Sequence, residues 1–192
     1  MESVQKLTHI EHILKRPDSY VGPVDLNVEP YWVLNSNKSQ FEKKNLKYSP
    51  ALLKIFDEIL VNAIDRNSMH PKNVTSISVD IDKESGAVTI ENNGPLGGIG
   101  VRMHEKEGLW NPELTFGHLL TSTNYDDSQK RIVGGRNGYG AKLTNIYSSD
   151  FSIVIKDHEN KQTYTQKWSK NMTICEPCLL YTSDAADERC RG

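Results

Sequence analysis

Two pairs of alternating segments constrain this chain most. "VTSISVDI" (74–81) and "AVTIE" (87–91) alternate apolar and polar residues around Lys83-Glu84-Ser85-Gly86, and "FSIVIKD" (151–157) and "QTYTQKW" (162–168) do so around His158-Glu159-Asn160. A period of two turns one side of each strand toward a core, and links this short join antiparallel neighbours. Helical patterns lie around them. "LTHIEHILKRPDSYVG" carries a capping box at Thr8 and Glu11 and is stopped by Arg16-Pro17. Ser49-Pro50 reads as N-cap and first residue of a long helix to about Asn67, and Asn111-Pro112 opens another through Leu120. Residues 31–48 are expected to form a hairpin and 139–147 a short helix. This order predicts an α/β (α+β) two-layer sandwich with a largely antiparallel sheet and helices on one face.

The 192 residues carry a net charge of -2, which gives no electrostatic footprint for nucleic acid, so DNA binding by this segment alone is not expected. No signal-peptide pattern opens the chain and no apolar run approaches the ~20 residues of a membrane span, so a soluble, intracellular protein with no membrane partner is expected. Cys175 and Cys178 make a C-x-x-C, but a zinc ribbon needs a second such pair and there is none. The segment "CLLYTSDAADE" from Cys178 resembles the translation of a sequencing-library adapter. Residues 178–192 are therefore expected to be a non-native tail on a C-terminally truncated domain of residues 1–177.

On the long helix, 100° per residue puts Leu52, Phe56, Ile59, Leu60 and Ala63 on one face, the expected core stripe. Glu58, Asn62 and Asp65 share roughly 60° of arc elsewhere. On spacing alone that face reads first as solvated, although a carboxylate four residues before an amide also suits a base beside a metal ligand. In "IENNGPLGGIGV", Asn92 ends a strand; its amide could read donor and acceptor edges of a purine, or belong to an ordinary glycine-rich turn. Residues 121–138 are polar, glycine-containing and long for a connection, a candidate lid. They lead into "RIVGGRNGYGAKL" (131–143), which matches neither the P-loop nor the dinucleotide fingerprint; it is a phosphate-holding loop or a glycine-rich surface loop.

The order of these motifs carries more than any one of them. E-x-x-x-N on a helix, N-x-G after a strand and a polar lid ending in G-x-x-G-x-G at a helix start resemble the GHKL ATPases, with their Bergerat fold. "IEHILKRPDSYVG", "KIFDEILVNAIDRN", "LLTSTNYDD" and "GGRNGYGAKL" are similar to the N-terminal ATPase domain of the eukaryotic-type DNA topoisomerase II family, over about residues 3–177.

The resemblance implies ATP and Mg²⁺ as cofactors. It makes Glu58 the general base for the water that attacks the γ-phosphate, Asn62 the Mg²⁺ ligand with Asp65 beside it, and Asn92 the adenine contact. Ser122, Thr123 and Asn124 would touch ribose and phosphate, while Gly135, Arg136, Asn137, Gly138, Tyr139, Gly140, Ala141 and Lys142 would wrap the triphosphate. It further implies a homodimer closed by ATP as a gate, double-stranded DNA as the partner of the whole enzyme, and a nuclear location, or a viral one in a large DNA virus. Three departures stand out. "GPLGGIGV" is longer than the family's G-x-G-I-P, Arg66 replaces a usual Asn, and Val4 occupies the place of an arm tyrosine that reaches across the dimer.

Overall fold

In a computed structural model of the protein, the residues described are 4–95, 98–121 and 138–182. The chain divides into two units, Met1–Asp57 and Glu58–Gly192.

In the first unit, α1 (His9–Lys15) starts at the expected capping box. Thr8 Oγ1 accepts from Glu11 N at 3.3 Å, and Glu11 Oε2 accepts from Thr8 N at 2.7 Å. Pro17 has no N–H to continue the helix, so the chain tightens into a single 3₁₀ turn, Pro17–Ser19. Strands β1 (Asn27–Leu34) and β2 (Phe41–Tyr48) form the expected hairpin, longer than its sequence signal, with Trp32 opposite Lys43. The rings of Tyr31 and Tyr48 meet edge to face across it, their hydroxyls 2.6 Å apart.

Helix α2 (Pro50–Met69) begins in this unit where the Ser-Pro pair predicts, with Ser49 Oγ accepting from Leu52 N at 3.3 Å. Its core stripe departs from expectation. Leu52 is 65% exposed, whereas Ala51 is buried. The cause is a neighbour that helical periodicity does not contain: Ala51 N donates to the carbonyl of Pro23 at 3.0 Å, so the irregular segment before β1 lies against the first turn at the alanine.

In the second unit, β3 (Ile77–Ile81) and β4 (Val88–Asn92) pair antiparallel, as do β5 (Asp150–Asp157) and β6 (Gln162–Ser169). The turn after β5 is held by Asp157, whose Oδ1 accepts from the N–H groups of Glu159 and Asn160. Strands β7 (Ile174–Cys175) and β8 (Leu179–Thr182) both pair with β6. Among the described residues the strands therefore form three antiparallel sheets instead of one continuous sheet. Alternation holds along β5 and β6, which turn Ile153, Ile155, Tyr164 and Trp168 into a core completed by Val101, while Val154 faces out at 64% exposure.

Helix α3 (Asn111–Gly117) is capped at Trp110, not Asn111, and stops at Gly117, short of the expected Leu120. Asn111 N already donates to Arg102 O at 2.9 Å, which fixes it as the first helical residue. At the far end a Cβ on residue 117 would lie 2.7 Å from Trp168 Nε1, so only glycine lets this turn reach the core. Thr121 Oγ1 then donates to the carbonyls of Leu114 and His118, closing the helix end. Helix α4 (Gly140–Ile146) follows the expected span and buries Ala141, Leu143 and Ile146.

Candidate functional site

The candidate residues that are described all belong to the second unit. Glu58, Asn62 and Asp65 come from successive turns of α2; Glu58 and Asp65 are half-buried and Asn62 is exposed. Some eighty residues later in the chain, roughly, α4 brings its first residue to Glu58. A Cβ on Gly140 would collide with Glu58 Oε2 and would stand 3.6 Å from Glu58 Cβ. The carboxylate of the expected base thus rests on bare backbone within the glycine-rich turn, at the first residue of α4. Gly138, two residues earlier, has φ +66°, a left-handed conformation that glycine adopts without steric cost. Tyr139 is the N-cap of α4, and its side chain makes no cap hydrogen bond to the first turn.

Asn92 closes β4 opposite Ile77 and is half-buried. Its neighbour has a different task. Asn93 Oδ1 accepts from Thr75 N at 2.8 Å and Ser76 N at 2.9 Å, and its Nδ2 donates to Thr75 Oγ1, which ties the strand end to the start of β3. Gly94 completes the N-x-G motif at φ +93°, and a Cβ there would run into the backbone of Asn73. The motif's glycine is thereby explained by a close backbone approach next to Asn92.

Lys142 is 4% exposed, and its Nζ donates to the Thr121 carbonyl at 2.7 Å. Burial pushes its ammonium down to about 8 from an ordinary 10.5. Asn145, one turn later, donates from Nδ2 to Phe116 O at 2.9 Å. The two buried polar side chains of α4 therefore bind carbonyls at and beyond the C-terminal end of α3. Sequence reading overlooked Asn145; the available signal was a polar residue among Ala141, Leu143 and Ile146, on the face of Lys142.

Ser122, Thr123, Asn124, Gly135, Arg136 and Asn137 lie outside the described residues, as does most of the candidate lid. The described positions bring Glu58 together with Gly140, and Asn67, next to Arg66, donates from Nδ2 to Val74 O at 2.5 Å. A surface hollow lined by Gln5, Leu7, Thr8, His9, His12 and Tyr20 belongs to the first unit and contains none of the candidate residues. No helix among the described residues is long and apolar enough to cross a membrane.

No family model matches the chain. It is 51% identical over 186 residues to DNA topoisomerase 2 of Penicillium chrysogenum, and 46% identical over 176 residues to that of Saccharomyces cerevisiae; these alignments cover 97% and 92% of this chain. Its fold superimposes on the crystal structure of the ATPase region of Saccharomyces cerevisiae topoisomerase II with a TM-score of 0.89 and 44% identity, over 95% of this chain and 48% of that one. The chain belongs to the ATPase region of the topoisomerase II family. The ATPase and transducer domains of the topoisomerase II from Balamuthia mandrillaris match equally well, at a TM-score of 0.88 and 46% identity, over 93% of this chain and 45% of that one. The chain spans 12% of the length of the two curated relatives and about half of the solved ATPase regions. Its mixed α/β architecture with antiparallel sheets is that of the topoisomerase II ATPase region.

Proposed function

We propose that this chain is the ATP-binding and ATP-hydrolysing part of a type II DNA topoisomerase. The observation that carries the reading is the seat of Glu58 on Gly140, which brings a half-buried carboxylate into a glycine-rich turn at a helix start. A general base must lie within hydrogen-bond reach of the water it activates, and a phosphate-holding turn must let its backbone approach the ligand. Both needs are met at one point. Glu58 orients and deprotonates the water that attacks the γ-phosphate, and the turn from Gly138 through Tyr139, Gly140 and Ala141 to Lys142 holds the triphosphate. Asn92 reads the adenine. Ser122, Thr123, Asn124, Gly135, Arg136 and Asn137 complete the nucleotide contacts.

The donor set suits Mg²⁺ carried in by a nucleotide. Among the described residues no group of three His, Cys, Asp or Glu side chains forms a cage for a metal ion. Asn62 is exposed one turn from Glu58, with Asp65 on the same face. Mg²⁺ gives up water reluctantly and prefers phosphate oxygens with one or two protein ligands, so Asn62 alone, beside a triphosphate, is an adequate protein contribution. When bound, the ion would neutralise phosphate charge.

In the whole protein, ATP would close two such regions into a homodimeric gate through which a DNA duplex passes, in the nucleus or, for a large DNA virus, in the viral compartment. A thermal-shift titration of this chain with a non-hydrolysable ATP analogue and Mg²⁺ tests the binding step. Stabilisation of the wild type that is weakened in Asn62→Ala is expected, and no shift with any nucleotide would overturn the reading. Hydrolysis by the whole protein, lost in Glu58→Ala, separates an ATPase from a module that binds ATP and closes without hydrolysing it.

A further inference from the structure

The last four carbonyls of a helix have no partner inside it, so whatever meets them fixes how the helix ends. In α4 all four are met. Tyr147 N donates to Leu143 O at 2.9 Å, Ser148 Oγ to Thr144 O at 2.6 Å and Ser148 N to Asn145 O at 3.2 Å, from the two residues that follow the helix. The fourth partner is distant. Asn171 Nδ2 donates to Ile146 O at 2.8 Å from the turn between β6 and β7. That turn has an unfavourable backbone: Lys170, Asn171 and Met172 have φ of +50°, +59° and +62°, three successive non-glycine residues in the left-handed region. Such strain persists where the surroundings over-determine it. Here Lys170 N donates to Ser149 O at 2.9 Å, Thr173 Oγ1 donates to Lys170 O at 2.6 Å, and Met172 packs against the cluster of Tyr164 and Trp168.

What the strained turn delivers to α4 is the Asn171 amide, and the opposite end of α4 carries Gly140, on which the Glu58 carboxylate rests. The helix has 7 residues. At 1.5 Å per residue it is a rod of roughly 10 Å, short enough that a displacement at Ile146 is carried to Gly140. Lys142 and Asn145 tie the rod to the Thr121 and Phe116 carbonyls, and Asn171 ties its end. We propose that Asn171 is a positioning residue for ATP hydrolysis: it fastens the end of α4 to the strained β6–β7 turn and so fixes where Gly140 meets Glu58. This rests on the nucleotide reading above, in which Glu58 is the base. A base misplaced by about 1 Å can cost roughly a hundredfold in rate, whereas nucleotide binding is spread over many contacts. Loss of the Asn171 tie therefore lowers kcat and leaves affinity in place.

Asn171→Gly and Asn171→Asp separate the tie from the turn. Glycine and aspartate both tolerate a left-handed φ, and neither side chain donates to Ile146 O when the aspartate is ionised. The test is steady-state ATPase kinetics of the whole protein, beside thermal melts and calorimetric titration of this chain with a non-hydrolysable ATP analogue and Mg²⁺. Both variants are expected to lower kcat by about tenfold or more, with the analogue's Kd within about twofold of wild type. The melting temperature of Asn171→Gly should stay within a few degrees of wild type, roughly, because glycine relieves the strain at that position. An unchanged kcat in both variants would overturn the inference. So would a loss of kcat matched by an equal loss of affinity or by a collapse of the melting temperature, which would show a merely structural role. A wild-type protein that neither binds the analogue nor hydrolyses ATP instead overturns the nucleotide reading, and this inference with it.

Discussion

The carboxylate of Glu58 occupies the space that a Cβ on residue 140 would take. Gly140→Ala leaves both the proposed base and the turn chemically intact while forcing them apart. General-base positioning contributes about 10² to 10⁴ in rate, so kcat of the whole protein is expected to fall by at least roughly 100-fold. Alanine also favours a helix start over glycine, so the melting temperature of the variant should stay within a few degrees of wild type, roughly. Steady-state ATPase kinetics beside a thermal melt check both halves. An active Gly140→Ala protein would mean that Glu58 has room to move without consequence.

Asn92 and Asn93 are adjacent and chemically identical, and the proposed nucleotide contact of Asn92 gives them separate work. Asn93 is committed to Thr75 and Ser76 through three hydrogen bonds. Asn93→Ala is expected to lower unfolding free energy by about 1 to 2 kcal/mol while leaving the Kd of an ATP analogue within about twofold. Asn92→Ala should do the reverse, weakening the analogue with little loss of stability. Urea unfolding and calorimetric titration on the two single variants provide the comparison.

The parts of the fold legible in the sequence are those decided by neighbours in the chain. Thr8 and Glu11 are three residues apart, and their reciprocal capping follows from that spacing. Ser49 and Pro50 fix the start of α2 in the same way, and the β3–β4 and β5–β6 pairs follow from alternation around short turns. What failed needed distant partners. Leu52 turns outward because Pro23 meets the helix at Ala51, and α3 ends early because Gly117 meets Trp168 and Thr121 reaches back to Leu114. The site shows the same division. Glu58, Asn62 and Asp65 could be placed on one face from helical periodicity, but the contact of Glu58 with Gly140 joins positions that no local pattern relates.

Lys142 makes a prediction in pH. Its folded-state value is about 8 against an ordinary 10.5, lowered by burial. Between those values the unfolded chain holds a proton that the folded chain lacks, so stability rises with pH across that window. Below pH 8 both states are protonated and the burial penalty acts in full. The full amplitude is roughly 3 kcal/mol. The unfolding free energy of wild type minus that of Lys142→Met, measured in urea from pH 7 to 10.5, is expected to climb by up to that amount. A flat difference would show that the hydrogen bond to Thr121 keeps the ammonium protonated throughout.

The segment after Pro177, expected to be a non-native tail, has its first residues in β6's sheet. Leu179–Thr182 pairs with Gln162–Thr165, and Cys178 and Leu180 pack against the cluster of Tyr164 and Trp168. This pairing does not bear on where the segment comes from. An edge strand offers a row of backbone donors and acceptors to any extended partner, and "LLYT" has the apolar residues and β-propensity to fill the place whatever its origin. Two effects can therefore be separated. Removing residues 178–192 is expected to lower unfolding free energy by about 1 to 2 kcal/mol, because Leu180 loses its partial burial and β6 its edge partner. Replacing Leu180 by Val in the intact chain should cost less than about 1 kcal/mol, since the cluster tolerates a smaller branched residue at a half-buried edge. Equal stability of the intact and shortened chains in urea would mean that the edge strand contributes nothing, and that Tyr164 and Trp168 are held by β5 and the loop from Ile99 to Trp110 alone.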